Sequence, residues 1–111
     1  MATDIGAQLR KGVVEFCILG LLQREATYGW KLSEELIARG LIASIGTLYP
    51  ILGRLRAQGL VVLSDQAAES DRPRKYYGLT PAGERQLEEF RTQWAPFAHT
   101  VSDLVGNGSH E

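Results

Sequence analysis

The sequence has few residues of the kinds that bind metals or form cross-links. Cys17 is the single cysteine, so an internal disulfide framework and a zinc knuckle are both excluded. Two histidines, one of them in the C-terminal tail, are too few for a histidine-rich metal centre. We therefore expect no metal and no other cofactor.

An excess of positive charge is also missing. Lysine and arginine together number 12 and aspartate and glutamate 13, which gives a net charge of -1. This balance excludes a uniformly basic coat for nucleic acid. Any nucleic-acid binding must therefore come from charge that is segregated locally.

Long hydrophobic runs are absent as well. The apolar run from Val13 to Leu22 follows two basic residues, as the core of a secretory signal would. However, Glu15 interrupts the run, no small-residue cleavage site follows it, and it is far shorter than the roughly 20 residues that span a bilayer. We expect a cytoplasmic protein without a membrane partner.

The residue sets typical of enzymes are missing too. The sequence contains no glycine-rich loop that would cradle phosphates, no metal-ligand spacing and no Ser/His/Asp set with a workable layout. His99 is expected to be a solvated side chain. The sequence therefore indicates that the protein is not an enzyme.

What is present is ordinary globular composition, with 44% apolar and 23% charged residues in 111. This length predicts one domain that is either compact or oligomeric. The first predicted helix runs from near Gln8 to Arg24 and is apolar on almost every side, so it should be enclosed on every side. A second subunit or the rest of the same chain could supply that cover, and the pattern favours neither.

The middle of the chain predicts a helix-turn-helix unit. A second helix begins after Thr27 as N-cap and ends at Arg39, before Gly40. A third begins after Ser44 as N-cap and ends at Gly59. Its inward stripe consists of Leu48, Ile51, Leu52 and Leu55. Two short helices joined by a short turn are typical of this motif.

A hairpin and a long helix complete the predicted fold. The segments 60–63 and 75–79 are β-prone and flank a polar, turn-like stretch. Thr80 and Pro81 then supply an N-cap and first-turn proline for a last helix that ends near Val105. The fold class is mainly α (α+β), a winged helix-turn-helix with a two-stranded wing. We expect the winged unit in residues 1–80, a dimerisation helix in 81–105 and a disordered tail in 106–111.

The outward face of the third helix is the first candidate functional surface. Small residues lie along its centre, so the helix could lie deep in a major groove about 12 Å wide. Thr47 would contact a base edge, and Tyr49 and Arg54 would contact phosphates. Amide groups near Ser44 favour another phosphate at the helix start. The alternative is that this smooth face packs against another helix. Pro50 removes one intrahelical hydrogen bond and is expected to bend the helix.

The hairpin is the second candidate surface, because basic residues cluster on one of its arms. Residues 44–78 hold five basic and three acidic residues, whereas residues 79–111 hold two basic and five acidic ones. A basic wing would contact phosphates or lie along the minor groove. The alternative is a solvated hairpin tip. Together, the residues expected to contact DNA are Ser44, Gly46, Thr47, Tyr49, Arg54, Arg72, Arg74 and Lys75.

The last helix carries the third candidate surface, an apolar seam with steps of three and four residues. The seam consists of Leu87, Phe90, Trp94, Phe97, Val101 and Leu104. One helix cannot bury this seam alone, so we expect a homodimer whose two recognition helices lie roughly 34 Å apart. Trp94 is either a residue of the dimer core or, with Phe90 and Phe97, part of a flat cavity for an aromatic ligand. Pro96 should perturb the helix nearby.

Three motifs of this chain, in this order, resemble the PadR family of bacterial winged-helix transcriptional regulators. They are Tyr28-Gly29-Trp30, then Gly46-Thr47-Leu48-Tyr49-Pro50 with Gly59-Leu60-Val61, and Arg72-Pro73-Arg74-Lys75-Tyr76-Tyr77 through Thr80 and Gly83. The resemblance covers roughly residues 8–105 and is to the short subfamily with a single C-terminal dimerisation helix. It implies that 44–49 form the groove-reading end of the recognition helix, and that at least one of Tyr76 and Tyr77 packs inward. Some short members bind flat aromatic drugs between tryptophans of the last helix, where Trp94 lies.

These observations predict a homodimeric repressor that binds an inverted-repeat operator in double-stranded DNA, with an effector at or near the dimer interface. In a cell it would be associated with the nucleoid when bound. The alternative hypothesis is a winged-helix module that binds protein rather than DNA, with which the mild acidity agrees.

Overall fold

The computed structural model describes residues 5–66 and 74–106. Along the chain, two helices precede a short strand, two further helices precede a hairpin, and a long helix ends the fold. In order they are α1 (Ile5–Arg10), α2 (Val14–Arg24), β1 (Thr27–Tyr28), α3 (Gly29–Ala38), α4 (Ile45–Ala57), β2 (Val61–Gln66), β3 (Arg74–Leu79) and α5 (Pro81–Val105). The predicted mainly helical fold, with a hairpin and a long last helix, is confirmed.

The core lies where α2, α3 and α4 meet over one face of the sheet. Its fully buried side chains come from all three helices: Ile18, Leu19, Leu32, Leu36, Leu48, Leu52 and Leu55. Because leucines recur at steps of three and four on α4, one side of that helix is buried and the opposite side stays in solvent.

The prediction of one continuous first helix is wrong, because the chain forms two helices there, α1 and α2. Gly12 has a φ of +84°, a left-handed conformation that glycine adopts without steric cost, and α1 ends just before it. No residue of α1 is buried. On α2, the chain itself buries Val14 and three further residues, while Phe16 and Cys17 stay half-exposed.

The sheet has three antiparallel strands in the order β1-β3-β2, one more than predicted. Thr27 does not cap the second helix. It pairs with Tyr77 in the sheet, and Tyr28 is the N-cap residue of α3. The hairpin is longer than its apolar segments indicated, because Asp65 pairs with Lys75 and the ladder continues to Gln66 and Arg74. Most of the predicted turn lies outside the described residues.

The start and end of α5 match the prediction. The Thr80 hydroxyl accepts a hydrogen bond from the Gly83 amide at 3.0 Å, Pro81 occupies the first turn, and Gly106 follows the last helical residue. Both α4 and α5 continue through their internal prolines. No helix in the described ranges combines the length and the apolar character that a bilayer crossing would need.

Candidate nucleic-acid interface

The exposed face of α4 carries only small side chains along its centre. Leu48, Leu52 and Leu55 hold the opposite side in the core. The residues at the centre of the exposed face are Gly46, Pro50, Gly53 and Ala57, all of them in solvent. The helix itself can therefore come close to a flat or grooved partner without a large side chain intervening.

The N-terminal end of this face is open as well. Ser44 lies at the N-cap position with extended backbone (φ -158°, ψ 165°), and its hydroxyl makes no capping hydrogen bond. Thr47 is exposed one turn further along. Side chains and amide groups at a helix start of this kind can reach base edges and phosphate oxygens.

One flank of α4 faces the beginning of α2, and there Arg54 forms an ion pair that sequence reasoning missed. Its Nη2 atom lies 3.4 Å from Oε1 of Glu15, and both side chains are partly in solvent. At this distance and exposure the pair contributes little to stability. The Arg54 guanidinium therefore lies beside the exposed face and can exchange its carboxylate partner for another anion.

The other flank of α4 faces α3 and the sheet through Tyr49. The phenol ring of Tyr49 lies over Gly29, where an added Cβ atom would come within 2.8 Å of the tyrosine hydroxyl oxygen. This contact joins the first turn of α3 to α4 and depends on the absence of a side chain at Gly29. The sequence showed both residues within its motifs but not that they touch.

The sheet adds a buried tyrosine beside that flank. Tyr77 is buried, which confirms that one of the two adjacent tyrosines packs inward, while the Tyr76 ring meets Tyr28 edge-on with centroids 5.8 Å apart. Burial raises the pKa of Tyr77 above its usual value of 10, and nearby Tyr49 raises it further, whereas Arg56 lowers it. The wing is thus fixed to α4 through its inward side.

Of the basic wing residues, two lie on described backbone. Lys75 is exposed on β3 opposite Asp65, and Arg74 begins the strand opposite Gln66. Arg72 lies outside the described residues. The hairpin therefore places Lys75 and the start of β3 beyond the packed part of the sheet.

The apolar seam of α5 divides into a covered and an uncovered part. Leu87 is 4% exposed and belongs to the chain's own core. Beyond it the Phe90 ring stacks on Phe16 of α2 at 4.3 Å between centroids and is followed by Trp94 at 5.5 Å. The side chains from Trp94 onward are exposed: Trp94 43%, Phe97 62%, Val101 40% and Leu104 78%.

The described residues give little indication of a metal site or of a reactive cysteine or histidine. Among residues 5–66 and 74–106, no three His, Cys, Asp or Glu side chains are grouped so that they could hold a metal ion. Cys17 is half-buried, and burial raises the pKa of its thiol. His99 is exposed on α5.

Comparison with known proteins gives concordant matches. The transcriptional regulator PadR-like family matches residues 18–89. A transcriptional regulator of Mycobacterium tuberculosis is 37% identical over 106 residues, which are 92% of this chain and 98% of that protein. A crystal structure of a PadR-like transcriptional regulator from Bacillus cereus superimposes with a TM-score of 0.83 at 38% identity, covering 90% of this chain and 98% of the other. The negative transcriptional regulator PadR of Bacillus subtilis is 26% identical over 94 residues, 82% of this chain and 52% of its own length.

Proposed function

The chain belongs to the PadR-like family of transcriptional regulators and is not an enzyme, and we propose that it represses transcription by binding an inverted-repeat operator as a homodimer. Its Bacillus subtilis relative is named a negative transcriptional regulator, which supports repression rather than activation. In this role the protein acts in the cytoplasm, on the nucleoid.

The observation that carries this proposal is the small-residue face of α4 in solvent. An α-helix with its side chains is about 10–12 Å across, close to the width of the major groove, so small residues let its axis lie deep in the groove. In that position the residues at its N-terminal end, Ser44, Gly46 and Thr47, read base edges. Tyr49 and Arg54 on the two flanks contact phosphates.

The wing supplies the remaining proposed contacts. Arg74 and Lys75 are the first two residues of β3, and Arg72 precedes them in the sequence. Basic side chains on such a wing bind the backbone beside the groove that holds the recognition helix, and each contact makes binding more sensitive to salt.

The homodimer follows from the exposed seam of α5. Phe97 and Leu104 are large apolar side chains that the described part of the chain leaves in solvent, and a second copy of the helix would cover them. Two-fold symmetry then places the two α4 helices on successive major-groove faces, roughly 34 Å apart. Phe90, Trp94 and Val101 complete the contact, whereas Leu87 is buried in the chain's own core and takes no part in it, contrary to the prediction from the seam pattern.

The proposed effector is a flat aromatic molecule that stacks on Trp94 between the two subunits. Phe16, Phe90 and Trp94 already form a continuous stack, so an added ring would extend it, with Phe97 alongside. Such a ligand would change the angle between the subunits and hence the spacing of the α4 helices. A coupling free energy of about 1–3 kcal/mol changes operator affinity roughly five- to a hundredfold.

The test of operator binding is to sequence the genomic DNA that the purified protein retains. We expect fragments with an inverted repeat whose half-sites are about one helical turn apart, and a mobility shift that weakens steeply as salt rises. Retention of no fragment in dilute buffer, or a sequence without dyad symmetry, would contradict the proposal and favour a module that binds protein.

The test of the effector site uses the two tryptophans of the chain separately. In a Trp30→Phe variant all tryptophan fluorescence comes from Trp94, and a flat aromatic dye should quench it with saturation. In the matched Trp94→Phe variant the remaining Trp30 should not respond. Equal quenching in the two variants would remove Trp94 from the site.

A further inference from the structure

A cleft of about 660 Å³ lies beside α4, between its Arg54 flank and the corner where α1 meets α2. The corner consists of Arg10, Lys11 and Gly12, where the chain changes direction between the two helices. On the α4 side, Thr47 and Arg54 line the same cleft. On the other side of α4, Gly53 and Arg56 face the sheet residues Val61 and Val62. The corner and the wing therefore lie on opposite sides of α4.

The charge around this cleft is predominantly positive. Arg10, Lys11 and Arg54 line it, and Glu15 is the one acid among its described lining residues. Glu15 is already engaged with Arg54. Within residues 5–66 and 74–106, no carboxylate lies within ion-pair distance of Arg10 or Lys11, so their two charges are not compensated there.

We propose that the α1–α2 corner is a second contact of this protein with the DNA backbone, through Arg10 and Lys11. This inference rests on the proposed function, in which α4 occupies a major groove. A major groove is bordered by a phosphate strand on each side. The wing lies towards one of these strands, and the corner lies towards the other, next to Thr47 and Arg54.

The ligand of the corner is thus the phosphodiester backbone of duplex DNA and not a particular base. Arg10 and Lys11 precede α2 and lie off the α4 face that reads base edges, so their contribution should be the same for any sequence. Glu15 limits this attraction, since its carboxylate lies in the same cleft and holds Arg54 at 3.4 Å.

The experiment measures binding of two duplexes of equal length, the recovered operator and an unrelated sequence, between about 50 and 200 mM salt. The variants are Arg10→Gln, Lys11→Gln and the double variant, each checked for helix content by circular dichroism. Each lost phosphate contact should reduce the slope of log K against log salt by about 0.9 and weaken binding about tenfold at 0.1 M salt, equally for both duplexes. Arg85→Gln, which removes one charge from an exposed site on α5, should leave slope and affinity unchanged.

A second variant acts in the opposite direction, so that loss of structure cannot imitate its effect. Glu15→Gln removes the carboxylate from the cleft and frees Arg54, and it should tighten binding of both duplexes. Three results would overturn the proposed contact while leaving operator binding by α4 intact. They are a wild-type salt slope in the double variant, an equally large loss of affinity in Arg85→Gln, and an unchanged affinity in Glu15→Gln. If the wild-type protein binds neither duplex, the proposed function fails and this contact fails with it.

Discussion

The two ends of α5 differ in how the chain covers them. At the N-terminal end the Thr80 hydroxyl donates to the Gly59 carbonyl at 2.7 Å, and Leu87 is buried in the core. At the C-terminal end Phe97 and Leu104 are mostly in solvent. The first end is part of the same packed unit as α4, because Gly59 directly follows the last turn of α4.

This difference shows how one helix can serve two purposes. A side chain such as Leu87 that is covered within the chain stabilises the monomer, whereas one such as Phe97 would stabilise the proposed dimer, where a second copy covers it. The helix continues through Pro96, so one continuous element joins the exposed end to the end that is bonded to Gly59. The following predictions test the two ends separately.

The largest effect is expected from Phe97→Asp at the exposed end. In the proposed dimer, a charge buried in the centre of the seam should raise the dissociation constant more than a hundredfold, about 3 kcal/mol. Sedimentation velocity over a concentration series measures it. His99→Asp introduces the same charge on the opposite, exposed side of α5 and should leave the dimer intact. Wild-type association of the Phe97 variant would contradict the assignment of the seam.

Gly83→Ala should have the next largest effect, at the packed end. An added Cβ atom would overlap the Leu60 carbonyl oxygen and lie 2.6 Å from Cδ1 of Leu79, so the start of α5 must move away from the sheet. We expect a loss of roughly 1–3 kcal/mol in urea unfolding at fixed protein concentration. Gly53→Ala is the control, because a Cβ atom there meets nothing within 4 Å. That variant should gain roughly 0.5–1 kcal/mol, and a similar gain for Gly83→Ala would show that the close packing is absent.

Thr80→Val removes the hydrogen bonds at the packed end while keeping the shape of the side chain. It loses both the bond to Gly59 and the N-cap bond from Gly83, which should cost about 1–2 kcal/mol of unfolding free energy. The control is Thr92→Val, whose hydroxyl donates to the Glu89 carbonyl on the surface of α5. We expect less than about 0.5 kcal/mol from the control. Equal costs would mean that the junction contributes nothing beyond a surface hydrogen bond.

The smallest effect is a pH dependence of the packed unit. The folded state raises the pKa of Tyr77 through burial, so it holds the phenol proton more tightly than the unfolded chain does. The associated stability is fully present below pH 10 and is lost as the pH rises from about 10 through the folded pKa. Tyr77→Phe should flatten the decline of unfolding free energy above pH 10, while Tyr76→Phe, which keeps Tyr77, should retain the wild-type decline. Identical profiles for the two variants would exclude Tyr77 as the cause.

Features that depend on neighbouring residues could be predicted from the sequence. Thr80, Pro81 and Gly106 mark the ends of α5 by local capping chemistry, and the leucine spacing of α4 indicates its buried side. The same reasoning showed that Trp94 lies on an apolar seam. It could not show that Leu87, on the same seam, is covered by the chain itself, because that depends on where α2 lies.

Features that join distant segments could not be predicted. The two-residue strand β1 exists because it pairs with β3 about 50 residues later, and the Glu15–Arg54 ion pair joins residues 39 apart. The break at Gly12 was missed because the segments on both sides of it are helical, and only the positive φ of Gly12 separates them. In each case the local pattern permits more than one structure, and the packing selects one.

The amino-acid order alone determined where α4 begins, where α5 begins and ends, which side of α4 is apolar, and the family to which the chain is similar. Caps, stop residues and side-chain periodicity act within a few residues, so they can be read without a fold. The tertiary structure alone decided that α5 is bonded at one end to Gly59, just after α4, and is largely exposed at the other, and that Arg10 and Lys11 lie next to the Arg54 flank of α4. These arrangements depend on the relative positions of helices and strands, which the packing of a shared core fixes.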